Sequence, residues 1–158
     1  FDAIGSLPLY PQVVDAVTIP VIGAGGIGDG RGLAAAIDLG AEGILMGTRF
    51  IASLECPVHL SYKNAVIDAG STDTVNIKFS SFGARVLKGE CAIKMQGHDS
   101  PFSVAGNPVK PYEPNKNIYA AGQVSGLVNS VKPVKEILEE VMATYAQSAM
   151  RINNLDNR

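Results

Sequence analysis

The sequence of 158 residues predicts an α/β fold built on parallel strands. Three observations carry that reading. Two short β-branched runs, residues 18–24 and 43–46, lack the apolar–polar alternation of half-exposed strands, as strands buried on both faces of a parallel sheet do. Each run ends directly in glycine. Between them lies a segment with the start and stop signals of a single helix.

Taken in order, residues 7–17 read as a loop entering a short helix, with Pro11 in its first turn. The first buried strand follows over 18–24, then a glycine-rich turn over 25–30. Asp29 is placed to cap a helix over 31–39, and Gly40 to end it. Leu33, Ala36 and Ile37 give that helix an apolar stripe expected to face the sheet. The second strand, 43–46, runs straight into Gly47-Thr48, so the whole is one βαβ unit with a right-handed crossover expected. Residues 57–69 have helical spacing, with Tyr62, Ala65, Val66 and Ala69 on one face. Residues 73–87 read as irregular strands or short helices. Residues 97–117, with Pro101, Pro108, Pro111 and Pro114, read as an extended loop. Residues 134–145 form an amphipathic helix begun by Pro133, with Val134, Ile137, Leu138, Val141 and Tyr145 as its packing stripe. The polar tail after Ile152 is expected to fray.

Composition narrows the function classes. A net charge of −2 gives no reason to expect nucleic acid or an anionic membrane as partner. With 46% apolar and 18% charged residues the chain is globular. Cys56 and Cys91 are far apart in sequence and in no metal-type spacing, so both are expected as reduced thiols of a cytoplasmic protein. Neither a membrane-length apolar run nor a signal-peptide pattern is present. The chain opens at Phe1 without methionine, which suggests a missing N-terminal part.

Gly23-Ala24-Gly25-Gly26-Ile27-Gly28 satisfies G-x-G-x-x-G after a strand and before a helix. A dinucleotide site would also need an acidic residue at the end of the next strand to hold the ribose. That strand ends in Met46-Gly47-Thr48, and Glu42 stands at its wrong end. A (β/α) barrel fits better, because its phosphate sits between two late βα loops and a short helix N-terminus. Gly25-Gly26 would supply one set of backbone N–H groups and Gly47-Thr48 the second, with a hydroxyl added. A helix starting near Arg49 would add its positive end. The bland alternative is that these glycines only make tight turns.

These residues resemble a known family. Residues 19–32 (IPVIGAGGIGDGRG), 40–50 (GAEGILMGTRF) and 55–59 (ECPVH) are similar to the nitronate monooxygenase family, formerly 2-nitropropane dioxygenase, which includes the flavin-type enoyl-acyl carrier protein reductases. Residues 11–17, 84–88 and 121–127 match in the same order. The resemblance implies the C-terminal part of an FMN-binding (β/α)8 TIM barrel with a small lid segment. It implies FMN-phosphate contacts at Gly25, Gly26, Leu45, Met46, Gly47 and Thr48, and a substrate-side position for Gln123. Where this chain has Leu45 the family often has Gln. The family's catalytic histidine lies in a Gly-Gly-His segment upstream of the stretch matching Phe1, so no catalytic residue is expected in this chain. The region 95–118 is shorter and richer in proline than the family's lid. A complete barrel needs ~250 residues, and only its last two strands are legible here, so the chain alone is expected to be inactive. The expected division is 1–55 for the end of the barrel with the phosphate loops, 56–118 for the lid and loop, and 119–158 for the C-terminal segment.

Other residues invite a role. His59 with Cys56 could be a catalytic or metal pair, but no further ligands are near, and a helix-cap or loop role fits better. His98 is expected in solvent, Arg49 in a surface ion pair, and Lys135 with Glu139 in an exposed i,i+4 pair. The leading function is a nitronate monooxygenase that oxidises alkyl nitronates with oxygen. Its rivals are an FMN-dependent enoyl-acyl carrier protein reductase taking electrons from NAD(P)H, a non-catalytic phosphate-binding or assembly module, and, last, another phosphate-binding barrel of the inosine-monophosphate dehydrogenase type. Partners are then a small-molecule substrate, a nitronate or an enoyl thioester, and a second copy in a homo-oligomer; no metal is expected.

Overall fold

A computed structural model describes residues 4–79, 82–99, 101 and 105–153, without the side chains of residues 152 and 153. The chain divides into two compact units: one runs up to Met46 and resumes at Val134, the other is Gly47–Pro133.

The first unit is a βαβ unit flanked by two helices. In order it contains α1 (Ser6–Ala16), β1 (Ile22–Ala24), α2 (Gly30–Asp38), β2 (Gly43–Leu45) and α6 (Val134–Asn153). The strands pair in parallel, Ile22 with Gly43, Gly23 with Ile44 and Ala24 with Leu45. The Glu42 amide extends the ladder by donating to Val21 O at 2.8 Å. The first strand is shorter than its β-branched run, and burial on both faces does not hold. Gly23 is buried beneath the Tyr10 ring, whose atoms lie 3.0–3.3 Å from where a Cβ would stand. The other face carries Ile22, 57% exposed, and Leu45, 65% exposed. A β-branched run reports strand propensity, whereas burial depends on what packs on each face.

Asp29 caps α2, its carboxylate accepting from the amides of Arg31 at 2.9 Å and Gly32 at 3.2 Å. Gly40 follows the helix at φ +93°, a value glycine reaches without steric cost. The stripe of α2 differs from expectation: Gly30, Ala34 and Ala36 are buried, Leu33 and Ile37 only half-buried. Its main partner is α6 and not the sheet, with β2 as a lesser contact. The two helices cross at Gly30, where a Cβ would come within 2.7 Å of the Thr144 carbonyl carbon, and closer still to Val141 O and Tyr145 N. Helix α6 extends past residue 145 to Asn153 and buries Ile137 and Val141 against that partner; Leu138 is 47% exposed, so it leaves the expected stripe. Pro11 lies inside α1 rather than in its first turn, which Pro8 occupies, because the Leu9 amide already closes that turn on Gly5 O at 3.1 Å. The tail beyond 153 lies outside the described residues.

The second unit contains α3 (Thr48–Ile51), α4 (Leu60–Asp68), β3 (Thr74–Phe79), β4 (Phe82–Leu87), α5 (Glu90–Met95) and a 3-10 turn, Gln123–Leu127. Thr74–Phe79 and Phe82–Leu87 pair as regular antiparallel strands, Thr74 with Leu87 through Phe79 with Phe82, and are not an irregular region. Val75, Ile77 and Phe79 point to one face and are buried, with Asn76 and Lys78 on the other, the period of a half-buried strand. They pack with Val86, Cys91, Ala92 and Ile118. A second cluster joins Tyr62 and Val66 of α4 to Ala52, Leu87, Tyr119, Ala121 and Val128. The described residues of the proline-rich stretch form a loop with turns at 108–109 and 114–116. Its described end is pinned where the Gly106 amide donates to Ile118 O at 2.7 Å. Both cysteines are free thiols, Cys91 buried and Cys56 half-buried.

Candidate functional site

In the first unit, β1 and β2 end side by side because Ala24 pairs with Leu45. The chain leaves β1 through Gly25 at φ +91° and Gly26 at φ +76°, two consecutive left-handed residues. Positive φ at both positions is a conformation that glycine adopts at no steric cost. Neither amide makes a hydrogen bond among the described residues, and both glycines are exposed. A Cβ at Gly26 would meet nothing within 4 Å. Glycine is therefore required there by backbone conformation and not by a neighbouring wall. The carbonyls on the other side of the turn are held: Tyr10 OH donates to Ala24 O at 2.8 Å and Ser6 Oγ to Gly25 O at 3.2 Å. Helix α1 thus fixes the peptide planes that aim the free N–H groups. Met46, buried, anchors the end of β2, and Leu45 stays exposed.

Asp29 stands at the far end of the same turn. Burial alone would raise its carboxyl, but hydrogen bonds from the Arg31 side chain and from the Gly32 and Arg31 amides outweigh that and hold it below the usual carboxylate range. It is a cap, as expected from sequence.

In the second unit, Gly47 precedes α3 and Thr48 is its first residue. Gly47 is exposed and Thr48 half-buried. Thr48 Oγ1 accepts from the Gly122 amide at 2.9 Å, which leaves its own proton to donate elsewhere. Arg49 is not at the surface: it is only 6% exposed and donates from a terminal nitrogen to Ser130 O at 3.0 Å. Lys63, 7% exposed, donates to the carbonyls of Ser53 and Leu54, which follow α3. Sequence reasoning missed both bonds, because backbone carbonyls are present at every residue and leave no mark in a sequence. Gln123 is exposed, next to Gly122 at the start of the 3-10 turn.

His59 caps α4, its Nδ1 accepting from the Ser61 amide at 3.1 Å, with Ser61 Oγ 2.7 Å away. Among the described residues no three His, Cys, Asp or Glu side chains are placed to hold a metal ion. His98 is exposed, and Lys135 pairs with Glu139 at 3.8 Å. Tyr62, in a stack with Tyr112 and Tyr119, donates to Ala120 O, and burial pushes its phenol well above the usual range. No helix among the described residues is long and apolar enough to cross a membrane.

With this geometry in place, comparison with known proteins gives a consistent result. The family model for nitronate monooxygenase matches residues 2–144. A probable nitronate monooxygenase of Staphylococcus saprophyticus is 46% identical over 98 residues, 61% of this chain and 27% of the relative. One from Staphylococcus aureus is 46% identical over 86 residues, 54% of this chain and 24% of the relative. Among solved structures, FabK from Thermotoga maritima in a single-substitution mutant form is 37% identical with a TM-score of 0.88, covering 98% of this chain and 50% of that one. A nitroalkane oxidase from Streptomyces ansochromogenes is 26% identical with a TM-score of 0.74, covering 94% and 46%. The chain therefore spans about a quarter of the length of the curated relatives and about half of the solved chains.

Proposed function

The chain belongs to the nitronate monooxygenase family, and from that membership we propose that the whole protein is an FMN-dependent oxidoreductase that oxidises alkyl nitronates with oxygen. This chain contributes the phosphate end of the flavin site, within the C-terminal part of a (β/α)8 barrel. The observation that carries the reading is the Gly25-Gly26 turn, with positive φ at both residues, two amides without a hydrogen bond among the described residues, and open space where a Cβ at Gly26 would stand. Those features suit a phosphate, which needs close backbone approach and N–H donors.

Gly25 and Gly26 bind it through backbone N–H groups. Leu45 and Met46 set the end of β2, and the exposed Leu45 side chain offers the cofactor only apolar contact. Gly47 and Thr48 add backbone N–H groups and a hydroxyl. Gln123 lies on the substrate side. The flavin, when bound, supplies the electron transfer; the protein supplies binding and orientation. No residue of this chain matches the family's Gly-Gly-His, so none is assigned a proton transfer, and the chain alone is expected not to turn over substrate.

A second reading keeps the flavin and changes the donor: an enoyl-acyl carrier protein reductase using NAD(P)H. The likeness to FabK, TM-score 0.88, exceeds that to the nitroalkane oxidase, 0.74, so overall shape does not favour the nitronate reading. An anaerobic visible spectrum of the whole protein separates the two. Bleaching by a nitronate and not by NADH supports the first; bleaching by NADH supports the second. No flavin band after addition of FMN refutes both and leaves a phosphate-binding or assembly module.

A further inference from the structure

The hydrogen bond between Thr48 and Gly122 links the residue assigned to the flavin phosphate directly to the turn that carries Gln123. The Gly122 amide donates to Thr48 Oγ1 at 2.9 Å. On the other side of the same residue, Gly122 O accepts from Ser125 Oγ at 2.9 Å and from the Ser125 amide at 3.0 Å. Ser125 is 1% exposed, so that side of the clamp is out of water. Gly122 has φ −87° and ψ 169°, an ordinary extended conformation, and a Cβ there would stand 3.5 Å from Thr48 Oγ1. Neither backbone strain nor crowding explains how the residue is held; the two hydrogen-bonded sides do. The next residue, Gln123, is exposed and opens the 3-10 turn.

We propose that Thr48 is a positioning residue that couples flavin-phosphate binding to the order of the Gly122–Gln123 segment. This rests on the proposed FMN site and deepens it. The hydroxyl has one proton and two lone pairs. One lone pair already holds the Gly122 amide, so the proton is the group left to meet an anion. Donation of that proton to a phosphate oxygen makes Oγ1 a stronger acceptor, because successive hydrogen bonds polarise one another. The Gly122 amide is then held more tightly, and the Gly122–Gln123 segment is more firmly ordered when cofactor occupies the phosphate end. The coupling uses an existing bond and needs no movement of either backbone.

The test is amide hydrogen exchange at Gly122 and through residues 121–127 of the whole protein, with and without FMN, beside FMN affinity from flavin fluorescence. In the native protein FMN slows exchange at Gly122 several-fold. Thr48→Ser retains the effect, because it retains the hydroxyl. Thr48→Val, of the same shape but without acceptor or donor, raises Gly122 exchange about tenfold, the loss of one ordinary hydrogen bond, and makes it insensitive to FMN. Gly122→Ala, which keeps the amide and has room for its methyl, retains the native response and checks that the effect is not general loosening. If FMN binds the native protein and Gly122 exchange does not change, the coupling is refuted while the cofactor site stands. If FMN fails to bind the native protein, the cofactor site and the coupling fall together.

Discussion

Gly30→Ala isolates the packing of α2 against α6, where the structure gives the clearest numbers. The new methyl would stand 2.7 Å from the Thr144 carbonyl carbon, with Val141 O and Tyr145 N nearer still. Carbon atoms pack best at ~3.5–4.0 Å, so the helices must separate by about 1 Å. A gap of that size forfeits roughly a quarter to a half of each dispersion well along the seam. The buried side chains there are Ala34, Ala36, Ile137 and Val141, and full burial of an Ile or Val is worth about 1.5–3 kcal/mol. The loss comes to about 3 kcal/mol, at the upper end for overpacked cores. Lower unfolded-state entropy returns ~0.4–1 kcal/mol, leaving about 2 kcal/mol of net destabilisation. At this chain length that lowers Tm by about 6 °C. Urea unfolding followed by far-UV circular dichroism reads it directly. The obstruction is main chain, so truncating Val141 does not relieve it: Gly30→Ala combined with Val141→Ala is less stable than either single variant. A Gly30→Ala protein within ~0.5 kcal/mol of native, or a double variant rescued by the truncation, refutes the reasoning.

Other predictions concern the turn and the exposed sheet. Gly26→Asp places a carboxylate where the phosphate is proposed to sit, and like charges near 4 Å at an effective dielectric of 20 repel by about 4 kcal/mol, on the order of a thousandfold in FMN affinity. Gly26→Asn tolerates the same φ without the charge and loses far less; equal affinity for native and Asp proteins by fluorescence titration would remove the phosphate assignment. Asp29→Ala removes the cap of α2 at a cost of about 1 kcal/mol. Because the folded Asp29 carboxyl is held below its usual range, its contribution is present above the unfolded value near 4 and fades as pH falls through the lower folded value. The native protein should therefore approach Asp29→Ala in stability as the solution is acidified below the usual carboxylate range, and a difference that does not change on acidification contradicts the assignment. Finally, Ile19, Ile22, Leu45 and Leu7 are 57–72% exposed in the first unit, so the isolated chain is expected to self-associate. Sedimentation that stays monomeric across a hundredfold concentration range would contradict this.

Much of the first unit was legible in the sequence because its signals are local. Asp29 before a helix and Gly40 after it are decided by capping and by φ, within a few residues of chain. The Gly25-Gly26 turn between strand and helix, and His59 as a cap, are of the same kind. Family membership too was carried by short ordered segments, such as residues 40–50. The packing was not legible, because it depends on atoms far away in sequence. Nothing near Gly30 announces the backbone of residues 141–145 that crowds any side chain there. The hairpin over 74–87 was missed although Val75, Ile77 and Phe79 alternate with polar residues, because β4 shows no such alternation and its partner gives it its place. Arg49, expected at the surface, and Lys63, which drew no expectation, are both buried with hydrogen bonds to main-chain carbonyls, which are present at every residue and so leave no mark in a sequence. The sequence by itself determined where chain direction changes and where glycine turns follow the strands. Only the tertiary structure decided which faces are covered, and that Thr48 holds Gly122, since a hydrogen bond across 74 residues is set by the folded path of the chain.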